Sequence, residues 1–349
     1  MKRNPTRIKP TIRMIAEHVG VSPTTVSLAL RGDPSIPSAT RARVLTAARE
    51  LNYVPKPRRA RAKQLVLRRI AFVMPNFGDQ PVSANPFYGE VLRGAEQECQ
   101  RRRASLLFTL LSNHDPLTPE RLSVFGRDSV DGLLLVGPYP PGLVHTVARY
   151  SQRPLVLVDN TLPGQPYDSV MADDFGGGYL ATQHLIELGH HAIVIVGVEA
   201  GVPSFSERER GYRAACQAAG IDPLPPLAVV WDVERMVERV AAHLAQQPAV
   251  TAFFCVGDAY AALLIQVLER LGQRVPEDCS VVGFDDLAPM RFVRPALTTI
   301  TNHPRTLGAV AVQRLMALWD GEARPTQAIK IGTELKVRAS SGPHRRREM

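Results

Sequence analysis

The sequence predicts a small all-α segment at the N-terminus, followed by a larger α/β region of two lobes with doubly wound parallel sheets. Helical apolar spacing broken by turn residues fills about the first fifty residues, and short apolar runs alternate with amphipathic stretches from about residue 70 onwards. Regular β-α alternation is typical of parallel sheets covered on both faces. Because one doubly wound domain rarely needs about 270 residues, we expect two lobes with a ligand cleft at the carboxyl ends of their strands.

The charge of the chain is distributed unevenly. The 349 residues carry a net charge of +9, with 45% hydrophobic and 21% charged residues, which is typical of a globular protein with two or three domains. Residues 1–69 hold 16 Lys and Arg against 3 Asp and Glu, whereas residues 70–349 hold 26 against 30. This asymmetry indicates a polyanionic partner for the N-terminal segment alone.

Several function classes lack their sequence signals. The chain has no signal peptide and no apolar run of about 18 residues, so we expect a cytoplasmic protein without membrane contact. Cys99, Cys216, Cys255 and Cys279 form no C-x-x-C pair and have no zinc-like spacing to histidine, which predicts buried, reduced thiols and no metal site.

The N-terminal segment begins with a predicted short helix. Its apolar positions fall at helical spacing, and Thr11 precedes them as a candidate N-cap. These apolar positions are Ile12, Ile15, Ala16 and Val19.

A second short helix follows directly. Gly20 suits a left-handed turn, Ser22 is a second candidate N-cap, and Pro23 stands at the first helical position. Val26 and Leu30, one turn apart, would face the core. Two short helices joined at a glycine turn have the layout of a helix-turn-helix, whose second helix enters the DNA major groove.

A third helix is predicted from about Ser38 to Leu51, with Val44, Leu45, Ala48 and Leu51 on one face. An ordinary helical hairpin is the alternative interpretation, but the basic charge and the third helix favour DNA binding.

We therefore divide the chain into a basic arm (1–10), a headpiece (11–53), a basic linker (54–69), a two-lobe domain (70–342) and a basic tail (343–349).

Seven buried strands are predicted in the two-lobe domain, and helical stretches separate most of them. The predicted strands are Ile70–Met74, Leu106–Leu110, Gly132–Val136, Leu155–Val158, Ala192–Val196, Thr251–Val256 and Ser280–Gly283.

The order of residues in the headpiece resembles a known family. The pattern A-x-x-x-G-V-S-x-x-T-V-S, from Ala16 to Ser27, is similar to the headpiece of the lactose/galactose repressor (LacI/GalR) family. The resemblance continues in the family's order and spacing at residues 85–88, 173–177, 184–190, 208–212, 275–278, 282–286, 295–299 and 337–342. It implies a transcriptional regulator, most often a repressor, with a periplasmic-binding-protein-like effector domain. It also implies a homodimer on a roughly palindromic operator, whose DNA affinity is controlled by a sugar, sugar derivative or nucleobase.

Candidate DNA contacts lie in the N-terminal half of the second helix, the part that faces base edges or phosphates. By resemblance Pro23, Thr24 and Leu28 take the positions that most often read bases. Leu28 departs from the family, which often has a polar or basic residue there, although a leucine can contact a thymine methyl group. The full set is Ser22, Pro23, Thr24, Thr25, Ser27 and Leu28.

The linker carries further candidate contacts. In the family the matching segment folds into a hinge helix on operator DNA and inserts a leucine into the minor groove. Here an ungapped reading places Ala62 at that position, between Arg61 and Lys63, and Leu65 fits only if the register slips by three. Arginine side chains favour a narrow minor groove, so the linker either binds there with less kinking or remains a flexible basic tether.

Two charged residues are the main candidates for effector binding. Arg208 can donate paired hydrogen bonds, and Asp285, at the end of a strand, can accept them. By resemblance both line the effector pocket, and Tyr88 and Trp231 take positions where relatives place aromatic rings against the ligand. A strand-end aspartate often caps a helix instead, and an aromatic residue at a sheet edge is often core. Weaker candidates are Asp159, Asn160, Asp173 and Asp258.

One position in the expected pocket departs from the family. Relatives usually have Asn-Asp where this chain has Gly257-Asp258, so an amide that many sugar-responsive members aim at the ligand is missing. Purine-responsive relatives also have glycine there. The residues leave a pentose, a hexose, a sugar phosphate and a nucleobase open as effectors.

Two other function classes fit the sequence less well. A hydrolase is disfavoured, because the chain lacks a G-x-S-x-G elbow, a P-loop and an H-E-x-x-H motif. Adjacent Asp173 and Asp174 better suit a helix N-terminus than a catalytic dyad. A periplasmic sugar-binding protein would share the two lobes but carry a signal peptide and lack the basic headpiece. We therefore expect no enzyme activity and no cofactor.

Overall fold

The computed structural model describes residues 10–30, 33, 35–51, 53, 68–76, 86–113, 116–319 and 325–344. The chain forms two compact units, Met1–Val66 and Leu67–Met349. Residues 1–9 of the basic arm, residues 54–67 of the linker and residues 345–349 of the tail lie outside the described part, so the predictions for Arg61, Ala62 and Lys63 stay predictions.

The headpiece contains three helices, α1 (Ile12–Val19), α2 (Pro23–Leu30) and α3 (Ser38–Glu50). The predicted caps are present. The Thr11 hydroxyl accepts from the Met14 N–H at 3.4 Å, and Gly20 ends α1 with φ of 72°, in the left-handed region that glycine adopts readily. The Ser22 hydroxyl accepts from the Thr25 N–H at 3.1 Å and begins α2.

One face of each helix forms the headpiece core. Ile15, Val26 and Val44 are completely buried there. The prediction that Leu45 shares this face is wrong, because 38% of Leu45 is exposed and Ala47 is buried instead. From Val44, helical steps of three and four residues lead to Ala47 and Ala48, so the neighbouring Leu45 points away.

Lobe 1 contains a six-stranded sheet in the order β10-β5-β4-β3-β1-β2, with every pair parallel. Its helices α4 and α11 cover one face, and α5 and α6 cover the other. β1 begins two residues before the predicted start at Ile70. The elements are β1 (Arg68–Pro75), α4 (Pro86–Arg101), β2 (Ala104–Leu111), α5 (Pro119–Ser123), β3 (Gly132–Val136), α6 (Pro141–Ser151), β4 (Leu155–Val158), β5 (Asp168–Ala172), α11 (Pro304–Trp319) and β10 (Ala328–Ile331).

Lobe 2 contains a five-stranded sheet in the order β11-β9-β8-β7-β6, parallel except for β11 against β9. Helices α7 and α8 cover one face, and α9 and α10 cover the other. The elements are α7 (Asp174–Glu187), β6 (Ile193–Val196), α8 (Pro203–Ala218), α9 (Val233–Gln246), β7 (Ala252–Cys255), α10 (Asp258–Arg270), β8 (Ser280–Asp285), a 3₁₀ helix (Ala288–Phe292), β9 (Thr298–Thr301) and β11 (Glu334–Lys336).

All seven predicted strands are present, but β5, β9, β10 and β11 were missed. These strands have three to five residues each and include Asp, Ser, Thr, Glu or Lys, so they lack a continuous apolar run. β10 and β11 lie at the edges of their sheets, where one side is open and polar residues are tolerated.

The chain crosses between the lobes three times. The crossings lie at Asp173, between β5 and α7, at residues 302–303, between β9 and α11, and at residues 332–333, between β10 and β11. The first and third crossings are in contact, because the Asp173 N–H donates to the Ile331 carbonyl at 2.8 Å. His303, in the second, has φ of 52°. These segments form the hinge between the lobes.

The four cysteines are buried free thiols, as predicted. Among the described helices, none has both the length and the apolar character required to cross a lipid bilayer.

Close packing of α4 on α11 leads to a stability prediction. A Cβ atom at Gly94 would overlap the backbone carbonyl of Arg305, whereas a Cβ at Gly89, also in α4, would meet no atom within 4 Å. Gly94→Ala should lower the free energy of unfolding by about 1–3 kcal/mol. Gly89→Ala should leave it equal or raise it by up to about 1 kcal/mol through helix propensity. Urea unfolding followed by circular dichroism measures both, and equal effects would contradict the close helix contact.

Candidate functional site

A cavity of about 610 Å³ lies between the lobes, at the carboxyl ends of the strands, as predicted. Its walls come from the segments that follow β1, β3 and β4 in lobe 1 and β6, β7 and β8 in lobe 2. The volume is ordinary for a small-molecule site. The lining residues are Pro86, Phe87, Tyr88, Pro138, Asp159, Glu199, Val202, Ser204, Phe205, Arg208, Trp231, Gly257, Ala259, Tyr260, Asp285 and Leu287.

Five of the eight predicted effector contacts line this cavity: Tyr88, Asp159, Arg208, Trp231 and Asp285. Lobe 1 supplies a hydrogen-bonded pair, because the Tyr88 hydroxyl in α4 donates to Oδ2 of Asp159 at 2.9 Å. Asp159 follows β4 with φ of 53°, and only 6% of the residue is exposed. The tyrosine therefore holds this carboxylate in one orientation.

Arg208, in α8, is the central residue of lobe 2 and is buried. Its Nε donates to Oδ1 of Asp174 at 2.9 Å, and its Nη1 donates to the Val256 carbonyl and lies 3.6 Å from Oδ1 of Asp285. The Phe284 ring lies under the guanidinium, with 3.7 Å from the ring centroid to Cζ. These contacts hold the guanidinium in place before any ligand arrives.

Asp285 ends β8 with φ of 114°, a backbone conformation that costs a non-glycine residue on the order of 1–3 kcal/mol. Its Oδ1 accepts from Nδ2 of Asn302 at 2.8 Å. A Cβ atom at Gly257 would lie 3.4 Å from Oδ2 of Asp285. The glycine at this departure from the family therefore leaves room beside the carboxylate.

Burial and charge shift the pKa values of these groups. Burial raises the pKa of Asp159 and Asp285 although Arg208 opposes the change, and it raises the pKa of Asp174 to about 7. Burial alone would lower the pKa of Arg208, but Asp174, Asp285 and Asp159 raise it, so the guanidinium stays charged. One positive charge thus faces three carboxyl groups, from Asp159, Asp174 and Asp285.

The other three predicted contacts lie outside the cavity lining. Nδ2 of buried Asn160 donates to the Tyr139 carbonyl, and its Oδ1 accepts from the Thr161 N–H. Asp173 caps α7 through the Gly176 N–H at 3.3 Å. Asn160 and Asp173 both lie at strand ends, as the sequence indicates. Their side chains form hydrogen bonds with backbone groups and do not line the cavity.

Asp258 is also turned away from the cavity. Its Oδ2 accepts from the Leu287 N–H at 2.8 Å, and its Oδ1 accepts from the Thr299 hydroxyl at 2.5 Å. It therefore fixes the loop after β8, and the adjacent Gly257 reaches the cavity in its place.

Several residues of the site were missed from the sequence. Phe205 and Tyr260 form an aromatic wall with Trp231, with the ring centroids of Phe205 and Trp231 lying 5.8 Å and 4.9 Å from that of Tyr260. Phe205 and Tyr260 both lie in the first turn of a helix that follows a strand, and this position is the signal that could have identified them. The sequence predicts only a role at the helix N-terminus for Asp174. Its bond to Arg208 joins residues 34 positions apart, and local sequence patterns do not reveal such a contact.

The candidate nucleic-acid interface is the N-terminal half of α2. Ser22, Pro23 and Thr24 are exposed, while Thr25 is partly buried. The Ser22 and Thr25 hydroxyls lie 2.8 Å apart and serve the cap. Ser27 and Leu28 are partly buried as well. Of the three exposed residues, Ser22 serves the cap, so Pro23 and Thr24 are the exposed predicted contacts outside it.

The chain is similar to bacterial regulatory proteins over nearly its whole length. Residues 11–56 match the model of the lacI family of bacterial regulatory proteins, and residues 182–341 match a periplasmic binding protein-like domain. The HTH-type transcriptional repressor PurR of Photobacterium profundum is 32% identical over 337 residues, which cover 95% of this chain and 98% of that protein.

Two solved structures have the same fold. The transcriptional regulator CelR in complex with cellobiose superposes with a TM-score of 0.69 at 28% identity and covers 95% of this chain and 100% of that one. The lac repressor dimer bound to operator and the anti-inducer ONPF superposes with a TM-score of 0.67 at 22% identity. The match covers 96% of this chain and 100% of that one.

The pKa of Asp258 predicts a pH-dependent stability. Burial raises this pKa to about 7, so between about pH 4 and 7 the folded state holds a proton that the unfolded state has lost. The contribution of Asp258 to the free energy of unfolding therefore falls as pH rises through that window. Asp258→Asn does not titrate, so its stability relative to the native protein should improve by about 2 kcal/mol between about pH 5 and pH 8. Urea unfolding at both pH values measures this, and a constant difference would contradict it.

Proposed function

Because the chain belongs to the LacI family of bacterial regulatory proteins, we propose that its headpiece binds operator DNA through α2 and that the cleft binds the controlling small molecule. The predicted fold and function are confirmed by these relatives: the chain is a DNA-binding transcriptional repressor controlled by a small-molecule effector, and it is not an enzyme. The ligand acts by binding alone, so the proposal includes no cofactor. Such a regulator acts where the chromosome lies, which we propose is the cytoplasm.

Exposure of α2 supports its role in reading DNA. Pro23 and Thr24 are exposed on its first turn, while Val26 and Ala29 face the headpiece core. Ser22 and Thr25 already share a cap, so their hydroxyls position the helix. Thr24 is then the hydroxyl most open to a base edge, and the basic charge around it attracts phosphates.

An exposed apolar edge strand supports a homodimer. β2 is the edge of the lobe 1 sheet, and 43% of Leu107, 43% of Phe108 and 40% of Leu110 are exposed. Apolar side chains along an open strand edge favour association with another chain. We propose a second copy of this chain as the partner. A two-fold axis between the copies would place two headpieces on a roughly palindromic operator.

The hinge supports control by a ligand in the cleft. The cavity has walls from both lobes, so a bound molecule can favour one lobe arrangement over another. Its differential affinity for those arrangements sets the change in operator affinity. Asn302, in the second crossing, donates to Asp285 in the cavity and thus connects the ligand site with the hinge.

The CelR structure contains cellobiose, which supports a sugar as one class of effector for this cleft. The aromatic wall offers flat apolar faces to such a ring.

A threonine substitution tests the DNA-reading role of α2. Thr24→Ala should weaken binding to an operator, selected from a random duplex library, about tenfold or more through lost base contacts. The slope of affinity against salt should remain unchanged, because phosphate contacts are retained. Fluorescence anisotropy measures both quantities. The matched control is Thr46→Ala, at an exposed position of α3, and equal losses in the two variants would contradict the assignment.

A charged residue on β2 tests the proposed dimer. Phe108→Asp should convert the protein to a monomer, because a carboxylate would have to be desolvated in the interface. Sedimentation velocity measures the mass in solution. Val124→Asp changes another exposed apolar residue of lobe 1, which is not part of β2, and should leave the dimer intact. A dimeric Phe108→Asp variant would exclude β2 as the interface.

A further inference from the structure

Arginines cluster at one edge of lobe 1. The strands of its sheet are parallel, so their N-terminal ends lie together at the edge opposite the cavity. Residues at this edge begin or precede β1, β2, β3 and β4, or lie in the last turns of α4 and α6, which lead back to it. Six of its arginines are exposed and two are partly buried. The residues of this arginine edge are Arg68, Arg69, Arg101, Arg102, Arg103, Arg127, Arg149 and Arg153.

The acidic residues of the same edge do not balance this charge. Among the described residues they are Glu98, Asp128, Asp131 and Asp168, and two of the four, Glu98 and Asp168, are only 4% exposed. Eight arginines against four acidic residues give the described edge a net charge of +4. Residues 70–349 as a whole hold 26 Lys and Arg against 30 Asp and Glu. The positive charge is therefore concentrated at this edge.

Several of the guanidinium groups are free to meet an anion. Arg68, Arg103 and Arg149 are exposed, and no carboxylate of the described residues forms an ion pair with any of them. The Arg68 guanidinium lies over the Trp319 ring, with 4.7 Å from Cζ to the ring centroid. Nε1 of Trp319 donates to the Asp131 carbonyl at 2.8 Å, which fixes the ring. Arg68 is thus held at the edge while its charge remains available.

The dimensions of the edge match the phosphates of a DNA strand. β4, β3, β1 and β2 are neighbours in the sheet, so at about 4.8 Å between strands their ends span about 15 Å. One strand of duplex DNA carries a phosphate for about every 3.4 Å along the helix axis, which gives about four phosphates over that distance. Arginine presents a planar fork of donors that fits phosphate oxygens.

The basic linker enters lobe 1 at this edge. β1 begins at Arg68, directly after linker residues 54–67. Arg103 lies beside it, because Arg68 pairs in register with Ala104. Residues 1–69, for which the sequence indicates a polyanionic partner, are therefore continuous with the arginine edge.

We infer that the arginine edge of lobe 1 binds phosphates of the operator duplex and forms a second DNA contact outside the headpiece. This inference rests on the proposed binding of operator DNA by the headpiece. Phosphate contacts add affinity without reading bases. The edge therefore strengthens binding to the operator and leaves the choice of sequence to α2.

A double substitution in the full-length protein tests the inference. Arg68→Gln with Arg103→Gln removes two charges that have no carboxylate partner among the described residues. Each lost phosphate contact lowers the slope of log affinity against log salt by about 0.9, so the slope should decrease by about one to two. Affinity for the selected operator should fall about tenfold, and its ratio to the affinity for a scrambled duplex should stay the same. Fluorescence anisotropy measures these quantities.

The matched control removes the same charge from lobe 2. Arg235→Gln with Arg239→Gln changes two exposed arginines of α9 and should leave the salt slope unchanged. An unchanged slope in the folded edge variant would mean that its arginines are only a solvated surface. An equal decrease in both double variants would attribute the effect to the net charge of the protein. Either result overturns the inference.

A second edge variant keeps the Arg68–Trp319 contact. Arg103→Gln with Arg149→Gln changes two exposed residues, and Arg149 lies in the last turn of α6. Circular dichroism shows which variants are folded. If the first variant does not fold, the second should show the decrease in slope of about one to two, and an unchanged slope would contradict the inference.

The native protein separates this inference from the proposed function. A native protein that binds no operator from the random duplex library contradicts the proposed function itself. Native operator binding with the same salt slope as the folded edge variants contradicts only the DNA contact of lobe 1.

Discussion

The buried guanidinium of Arg208 joins three separate parts of lobe 2. It bonds to Asp174 at the start of α7 and to the Val256 carbonyl after β7, and it lies beside Asp285 at the end of β8. Loss of the guanidinium would leave the buried carboxyl group of Asp174 without its counter-charge, which is strongly destabilising. The guanidinium of Arg208, which lines the cleft, therefore also fixes the strand ends around it.

Glycine makes this arrangement possible. α7 and α8 approach so closely that a Cβ atom at Gly178 would overlap the Arg208 carbonyl, and one at Gly211 would overlap the Phe175 carbonyl. Only residues without a side chain permit that helix distance. The position of the guanidinium thus depends on two glycines that do not line the cavity.

The ligand site and the hinge share a hydrogen bond. Asn302 is completely buried in the second crossing and donates to Asp285, whose backbone has a strained positive φ. A ligand that bonds to Asp285 therefore acts on a residue already held by the hinge. A conformational change requires differential contacts in two states, and this bond is a place where such a difference can arise.

Local signals in the sequence determined the elements and their caps. The helices of the headpiece were predictable from apolar spacing and from the capping residues Thr11, Gly20 and Ser22. Seven strands were predictable from continuous apolar runs. Both kinds of signal depend only on neighbouring residues. The alternation of strands and helices also predicted a cleft at the strand ends. Arg208 and Asp285 were assigned to it from resemblance to the family, and the structure places both there.

Tertiary structure alone decided which polar groups face the cavity. Asp159 and Asp258 both follow strands, yet Asp159 lines the cleft while Asp258 bonds to Leu287 and Thr299. Nothing in their local sequence separates the two, because the outcome depends on partners far along the chain. The short strands β10 and β11 likewise form only where a sheet edge is available. Sequence determined the elements through local contacts, and tertiary structure determined the charge of the site through contacts between distant residues.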